Sequence, residues 1–280
     1  MSSEVRVAQD AGVAMDTQCI RAALADAGTR QTPAICFVDV MKSFGERHVQ
    51  DHQTFSVQAG ELFAIIGPSG TGKSVTLKLI AGLLRPDAGE VRVLGKTLSE
   101  LSSKELSQLR RRVGFLFQGG ALLGWKTLAE NVALPLQEHD RLTANEIEAR
   151  VQAALAEVGL KDAGELYPAE VSGGMLKRAA FARAIIENPE ILLFDEPTSG
   201  LDPVMAYTID SLVRKINRAH HAACVVVTHD MAGALRYADR IAFLKDGRFL
   251  IVDTPEAIRQ SDLPEIQSFL NPEQTEVSHV

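Results

Sequence analysis

The sequence predicts an α/β protein with a parallel sheet that helices cover on both faces. Two strand-like segments, "ILLFDEP" at 191–197 and "ACVVVTHD" at 223–230, are nearly continuous apolar runs, as expected for strands buried on both sides. Beyond a β-rich segment at 35–94, helical and strand-like segments alternate. A glycine-rich stretch, "GPSGTGKS" at 67–74, stands between a strand and a helix and places a phosphate-binding loop in this fold.

The bulk properties are those of a globular protein. A chain of 280 residues can bury a core without disulfides or structural metal. The net charge of −7 argues against nucleic acid as the main partner, because proteins that bind a phosphate backbone carry a basic field. The apolar runs fall short of the roughly 18–20 residues of a membrane helix. The N-terminus "MSSEVRVAQDAGVAMD" lacks a continuous apolar core, so we expect a cytoplasmic protein.

The cysteines and histidines give no metal-binding pattern. Cys19, Cys36 and Cys224 lack Cys-x-x-Cys spacing, which is typical of a reducing compartment, and we expect the last two inside apolar strands. His48 and His52 are four residues apart without a zinc motif, so no metal site is expected there. The basic triplet at 110–112 predicts a solvated helix face or the end of an element, with an anion contact as the alternative.

Four short β-rich runs predict a small antiparallel sheet that leads into a buried strand. They are "ICFVDV", "HQTFSV", "ELFAII" and "EVRVL", separated by Gly, Asp and Pro turns. The preceding residues, 1–33, form an N-terminal extension with at most one short helix, near 17–27. We expect one domain over 34–270 and a polar tail at 271–280, preceded by one or two short helices.

A mostly helical segment interrupts the strands at about 120–187. Within it, "TANEIEARVQAALAEVGL" begins with Thr143 and Glu146 in capping-box spacing. The same run places Ile147, Val151, Leu155 and Val158 on one helical face. Strand signals return afterwards in the two apolar runs and in "RIAFLKDG", so we interpret this segment as a helical insertion.

The stretch at 67–74 fits the pattern G-x-x-x-x-G-K-[ST] and lies between the strand "ELFAII" and the helical run "VTLKLIAGLL". Glycines let successive N–H groups turn toward phosphates, and the helix adds the positive end of its dipole. Lys73 is expected to reach the β- and γ-phosphates and Ser74 to bind Mg²⁺. The candidate nucleotide-binding residues are Gly67, Pro68, Ser69, Gly70, Thr71, Gly72, Lys73, Ser74 and Val75.

Polar residues follow two of the predicted buried strands. Asp195 is predicted to hold Mg²⁺, directly or through a water, and Glu196 to polarise a water for in-line attack on the γ-phosphate. His229 ends "VVVTHD" and is predicted to contact the γ-phosphate. Strand ends of this kind converge on the edge where α/β sheets bind ligands.

With these residues in place, "EVSGGMLKRAAFARAI" at 170–185 resembles the signature segment of the ATP-binding cassette family, and the likeness runs from about 35 to 270. The segment opens a helix with a Ser and two glycines, which makes a second anion-binding terminus. The resemblance implies a head-to-tail homodimer, in which Ser172, Gly173 and Gly174 contact the ATP held by the partner protomer. Asp202, in "SGLD", then communicates across the dimer.

Further positions match the family. Gln118 resembles the residue that links the γ-phosphate and Mg²⁺ to the helical insertion. Phe44 lies 23 residues before Gly67, where the family places an aromatic ring against adenine; a core Phe is the alternative. Val171 and Met175 replace the usual Leu and Gln, but Met is normal in one branch. That branch, which "SGGM", "FQGGAL" and "HDRLT" resemble, energises lipid transporters that work with mammalian-cell-entry domain proteins.

The stretch "FLFQGGALLGWK" at 115–126 holds the only Trp of the chain. In the family this region receives a short helix of a membrane permease, which implies an apolar docking surface of Leu122, Leu123 and Trp125. Glycines after Gln118 would let the loop pivot. The alternative is that these apolar side chains fill the core of the helical insertion.

The resemblance implies a cytoplasmic motor subunit, peripheral on the inner membrane, that binds ATP and Mg²⁺. It is expected to energise phospholipid movement between the inner and outer membranes of a Gram-negative-type envelope. Its partners would be a permease, a periplasmic mammalian-cell-entry domain protein and a small accessory subunit. Alternatives are an importer subunit for amino acids or osmolytes and a soluble ATPase of DNA repair or translation. The single cassette, the lack of a coiled-coil or zinc insertion and the acidic charge argue against the latter.

Overall fold

The computed structural model describes residues 32–137 and 142–270. The N-terminal extension to residue 31, with its predicted helix and Cys19, and the tail at 271–280 lie outside the described residues. The described chain divides into two compact units. The first holds residues 32–101 and 227–270, and the second holds residues 102–137 and 142–226.

The first unit begins with the predicted small antiparallel sheet, which is confirmed. Its strand order is β2-β1-β4-β5. The strands are β1 (Ile35–Phe44), β2 (Arg47–Val57), β4 (Ala88–Val93) and β5 (Lys96–Thr97). Strand β2 begins five residues before the predicted run, because residues 47–51 continue the antiparallel pairing with β1.

Three further strands of the first unit lie side by side. Strand β3 (Leu62–Ile66) pairs in parallel with β9 (Arg240–Lys245), and β9 pairs antiparallel with β10 (Arg248–Asp253). All five residues of β3 are buried, as the sequence predicted. The helices of this unit are α1 (Lys73–Ile80), α7 (Met231–Tyr237), α8 (Pro255–Arg259) and α9 (Pro264–Leu270).

A stack of aromatic rings forms the core of the first unit. Phe55 on β2 stacks on Phe37 of β1, with ring centroids 4.5 Å apart, and on Phe63 of β3, at 5.5 Å. All three side chains are fully buried. Burial of aromatic rings contributes strongly to the stability of a core, so this stack holds the antiparallel sheet against β3.

The second unit contains a parallel strand pair and most of the helices. Strand β6 (Val113–Leu116) pairs with β7 (Ile191–Asp195). Strand β8 (Ala223–Thr228) begins in this unit and ends in the first. The helices are α2 (Ser103–Arg110), α3 (Leu128–Gln137), α4 (Ala144–Glu157), α5 (Gly173–Ile185) and α6 (Pro203–His220).

Helix α4 has the capping box that the sequence predicted. The Glu146 backbone N–H donates to Oγ1 of Thr143 at 3.3 Å, and Oε2 of Glu146 accepts from the Thr143 N–H at 2.8 Å. Val151, Leu155 and Val158 are buried on the predicted face, against α3 and α5. Ile147, nearer the start of the helix, is half-buried.

The structure also tests the predictions about the cysteines, the basic triplet and membrane-spanning helices. Cys36 and Cys224 are buried within β1 and β8, as expected. The basic triplet marks the end of an element, because Arg110 is the last residue of α2 and Arg112 pairs with Glu190 at 2.5 Å. Within residues 32–137 and 142–270, none of the helices is both long and apolar enough to cross a membrane.

Candidate functional site

The phosphate loop connects β3 to α1 in the first unit, and its glycines are required by close packing. A Cβ at Gly67 would clash with the carbonyl oxygen of Leu244 on β9. A Cβ at Gly72 would lie 2.7 Å from the carbonyl oxygen of Val49 on β2. The φ angle of Gly72 is +104°, which also favours glycine. Only glycine fits such positions, so the two flanking strands fix the path of the loop.

Strand β2 also supplies hydrogen-bond donors to the phosphate loop. Arg47 donates from Nη2 to the carbonyl of Gly70 at 2.6 Å, and Gln50 donates from Nε2 to the carbonyl of Gly72 at 3.0 Å. The Gly72 carbonyl, at the N-cap of α1, also accepts from the Val75 N–H at 3.0 Å, whereas the Gly70 carbonyl lies within the loop. These side chains therefore hold the loop carbonyls, which leaves backbone N–H groups as the loop's anion-facing donors.

Lys73 places a buried positive charge inside the loop. Its side chain is 6% exposed, and Nζ donates to the carbonyls of Gly67 at 2.8 Å and Pro68 at 3.0 Å. Thr71 donates from Oγ1 to the same Pro68 carbonyl at 2.9 Å. An ammonium surrounded by loop backbone at a helix N-terminus is suited to bind a phosphate oxygen.

Phe44 ends β1 and is 50% exposed, which excludes the alternative of a core Phe. It pairs across the hairpin with Arg47. Because Arg47 donates to Gly70, this end of the hairpin lies beside the phosphate loop. The exposed ring, with Nζ of Lys42 at 5.5 Å from its centroid, can stack on a planar ligand.

His229 follows β8 directly and is exposed. The next residue, Asp230, caps α7 by accepting from the Gly233 N–H at 2.9 Å. Asp230 also donates its N–H to Oγ1 of Thr228 at 3.0 Å. The backbone on both sides of His229 is thus anchored, while the imidazole remains accessible.

In the second unit, the two predicted carboxylates lie at the end of β7. Asp195 is 7% exposed and Glu196 is 9% exposed. Glu196 has φ at +49°, a left-handed conformation that costs about 1–3 kcal/mol in a residue with a Cβ. Ser199 stabilises this turn, because its N–H and its hydroxyl both donate to the Glu196 carbonyl, at 3.2 and 2.9 Å.

The signature segment opens α5 as its sequence predicts. Ser172 is the N-cap and accepts from the Met175 N–H at 3.3 Å. A Cβ at Gly174 would lie 2.2 Å from Cε of Met205 on α6, so the flexible end of that side chain would have to shift. Asp202 caps α6 and accepts from the N–H groups of Val204 and Met205, each at 3.0 Å.

Gln118 follows β6 and is exposed, and the loop after it carries the predicted docking residues. Trp125 is 75% exposed, which excludes the core alternative for this side chain. Leu122 and Leu123 are half-buried. The fully buried Asn131 accepts from the Leu123 N–H at 2.6 Å and donates to the Leu123 carbonyl at 3.0 Å. One side chain of α3 therefore fixes the loop that presents Trp125.

A cleft of the second unit borders the same loop. Phe115 and Phe117 stack along it with centroids 4.1 Å apart, and Arg183 lines it. Arg183 donates to the carbonyls of Gly120 at 2.6 Å and Ala121 at 2.7 Å. Burial lowers the pKa of Arg183 from its usual value.

The sequence patterns did not single out Lys177, a residue of α5 that is only 8% exposed. Its ammonium donates to the carbonyl of Gln118 in a close hydrogen bond, and lies 3.4 Å from both the Glu196 carbonyl and the Ser199 hydroxyl. A signal did exist, because Lys177 stands four residues before the buried Phe181 on the apolar stripe of the helix.

Comparison with known proteins gives related sequences over most of the chain. A family model described as ABC transporter matches residues 51–199. The intermembrane phospholipid transport system ATP-binding protein MlaF of Haemophilus influenzae is 41% identical over 229 residues, which cover 82% of this chain and 87% of that protein.

A probable ribonucleotide transport ATP-binding protein of Mycobacterium bovis is 42% identical over 230 residues, or 82% of this chain. The chain spans 64% of the length of that protein. A solved ATP-binding cassette, a dimer in a post-hydrolysis state with ADP and Pi, superimposes with a TM-score of 0.73 at 34% identity. That comparison covers 79% of this chain and 98% of the solved chain, and it confirms the predicted fold class.

The packing at Gly72 leads to a test of the loop. Gly72→Ala should lower the free energy of unfolding by about 1–3 kcal/mol, because the new Cβ collides with Val49. It should also weaken binding of a fluorescent ATP analogue, measured by titration. Gly124→Ala is the matched control, since nothing lies within 4 Å of its Cβ position. Equal behaviour of the two variants would contradict this account of the loop.

Proposed function

Because the chain belongs to the ABC transporter family, we propose that it is the ATP-hydrolysing subunit of a phospholipid transporter. The phosphate loop supports the binding of ATP. Its Lys73 is buried, and its backbone follows a path that only glycines allow, and both features suit a triphosphate. We assign the cassette to residues 34–270, with its helical insertion at 120–187 and terminal segments outside it.

In the proposed site, the first unit binds the nucleotide. Lys73 contacts the β- and γ-phosphates, and the exposed ring of Phe44 stacks on adenine. His229 contacts the γ-phosphate from the end of β8. The contacts of Arg47 and Gln50 support this role, because a loop that is already fixed loses little entropy when it binds a ligand.

The proposed Mg²⁺ ligands are Ser74, Gln118 and Asp195. They offer a hydroxyl, an amide and a carboxylate oxygen, which fit the preference of Mg²⁺ for oxygen and leave room for phosphate ligands. The ion, when bound, neutralises charge on the β- and γ-phosphates.

Glu196 is the proposed general base. Glu196 directly follows Asp195, the last residue of the fully buried strand β7. Its backbone is held in a left-handed conformation. A left-handed conformation strains the backbone of a residue with a Cβ. It persists only where surrounding contacts impose it, and it is frequent at active sites. We propose that this conformation aims the carboxylate at the attacking water, from which it takes a proton.

The signature helix supports a head-to-tail homodimer. Ser172 and Gly173 are exposed at the N-terminus of α5, where unpaired N–H groups and the helix dipole favour an anion. We propose that they, with Gly174, contact the ATP bound by a second copy of the chain, and that Asp202 lies at the same interface. The dimeric cassette among the solved relatives supports this arrangement.

Replacing the base tests hydrolysis and dimer formation together. Glu196→Gln should bind ATP but hydrolyse it at least about 100-fold more slowly, because an amide cannot accept the water's proton. The variant should accumulate as an ATP-bound dimer, measured by light scattering. Glu190→Gln, a matched change in the ion pair with Arg112, should keep normal turnover. A Glu196→Gln protein with normal turnover would remove this residue from the base role.

A second substitution separates the dimer from the chemistry. Ser172→Arg added to Glu196→Gln should abolish the ATP-bound dimer, because a long cation occupies the proposed phosphate contact. Ser102→Arg removes an equivalent helix cap on α2 and controls for loss of capping. A dimer that persists with Ser172→Arg would exclude the signature helix from the interface.

The loop after Gln118 is the proposed contact with a membrane permease. Trp125 is exposed although it is large and apolar, and Leu122 and Leu123 lie beside it. Exposed aromatic residues of this kind are typical anchors of protein interfaces. Asn131 and Arg183 hold the loop backbone, so the docking surface is preformed and connected to Gln118.

Leu122→Asp should weaken association with the permease at least about 30-fold, the effect of losing about 2 kcal/mol at an interface. ATP binding should be unchanged, because Leu122 is not among the proposed nucleotide or Mg²⁺ contacts. Co-purification with a tagged permease in detergent measures the loss. Leu83→Asp makes the same change at an exposed Leu outside the proposed docking surface and should leave the complex intact. A Leu122→Asp protein that stays bound would favour the core alternative for this side chain.

The proposed cargo is phospholipid, moved between the inner and outer membranes, with the chain on the cytoplasmic face of the inner membrane. The name of the Haemophilus relative supports this cargo, as does Met175 in the signature. We propose that the complex also contains a mammalian-cell-entry domain protein and a small accessory subunit. Importers of amino acids or osmolytes remain the second candidate, and the mycobacterial relative is named for ribonucleotides.

Reconstituted complexes test the cargo. The chain co-expressed with its permease, in proteoliposomes with ATP, should transfer labelled phospholipid between donor and acceptor vesicles. The complex with Glu196→Gln should not. Uptake of a labelled amino acid, glycine betaine or ribonucleotide, without lipid transfer, would overturn the phospholipid assignment. A chain that never associates with a membrane permease would favour a non-transport ATPase.

A further inference from the structure

Lys177 is a charged residue on the buried side of α5. Its neighbours along the helix, Ala179, Ala180 and Phe181, have no exposed surface, and Lys177 is 8% exposed. Burial lowers the pKa of Lys177, while the negative charges of Glu196 and Asp195 oppose this shift. A buried ammonium is costly unless hydrogen-bond acceptors surround it, so its acceptors show what the residue does.

The acceptors of Lys177 come from two different loops. The carbonyl of Gln118, in the loop after β6, accepts the closest hydrogen bond. The carbonyl of Glu196 and the hydroxyl of Ser199, in the loop after β7, each lie 3.4 Å from Nζ. An ammonium has three donors, which matches these three acceptors. None of them is a carboxylate, and two of the three are backbone carbonyls, so Lys177 acts mainly on the backbone of these loops.

We propose that Lys177 is a positioning residue for hydrolysis, which ties the backbone of Gln118 to that of Glu196 and keeps Glu196 in its left-handed conformation. The inference rests on the proposed ATPase function. The Glu196 carbonyl also accepts from Ser199, so two side chains share the task of holding this peptide. Without them, the peptide can rotate toward a relaxed conformation and carry the carboxylate away from its water.

Lys177→Met keeps the length and most of the volume of the side chain but removes its donors. It should lower kcat about 10–100-fold, as expected when a catalytic group is displaced by about 1 Å. The KM for ATP should stay within a factor of about 3, since the phosphate loop is untouched. Lys215→Met, which removes a Lys–carbonyl hydrogen bond between α6 and Glu157, should keep normal kcat and KM.

A double substitution distinguishes positioning from a general structural role. In a Glu196→Gln background, adding Lys177→Met should slow single-turnover hydrolysis by less than about 2-fold, because residues that act as a unit have non-additive effects. A full 10-fold or larger additional loss would show that Lys177 acts elsewhere and would overturn the proposal.

Ser199→Ala provides a variant that leaves the buried face of α5 intact. It removes the hydroxyl donor to the Glu196 carbonyl and should lower kcat about 3–10-fold at unchanged KM, a partial version of the Lys177 effect. If Lys177→Met fails to fold, a normal kcat in Ser199→Ala overturns the proposal. Wild-type protein without Mg²⁺-dependent ATPase activity would refute the proposed function itself. Active wild type with unchanged kcat in Lys177→Met refutes only the role of Lys177.

Discussion

Donation from side chains to the backbone carbonyls of loops is the interaction on which both units depend. Many loop carbonyls have no partner from a helix or a strand, and a buried one without a donor costs about 1–3 kcal/mol. In the first unit, Arg47 and Gln50 supply the donors to the phosphate loop. In the second, Lys177 and Arg183 supply them to the loop after β6. Because the donors stand on regular elements, the loops acquire the rigidity that a pre-organised site needs.

Helix α5 concentrates this interaction in the second unit. Arg178 donates to the carbonyls of Val158 and Gly159, where α4 ends, in addition to the contacts of Lys177 and Arg183. One helix therefore holds the end of α4 and two loops. Its N-terminus carries Ser172, so the proposed contact with a second ATP and the donors to Gln118 belong to one rigid element.

Features that depend on local sequence were predicted well, and features that depend on distant contacts were not. The strand and helix on either side of residues 67–72, the capping box of Thr143 and the buried strands follow from spacing and from apolar runs within a few residues. Strand β10 was not predicted, although its sequence contains the apolar run at 249–252, and these four residues are only half-buried in the structure. The acceptor of Lys177 lies 59 residues away, and no local pattern specifies such a pair. Trp125 stood in a loop without periodicity, so only the fold could decide its exposure.

The departure of the signature from its usual residues is explained by the way α5 is capped. Ser172 accepts from the backbone N–H of Met175, and the Met175 side chain takes no part in that hydrogen bond. Replacing a polar residue by Met at this position therefore preserves the cap and the exposed N–H groups that favour an anion. At Gly174, an added Cβ would require only the flexible end of the Met205 side chain to shift. The cap therefore depends on the Ser172 hydroxyl and on the backbone N–H of position 175, whereas the side chain at position 175 can differ without loss of the cap.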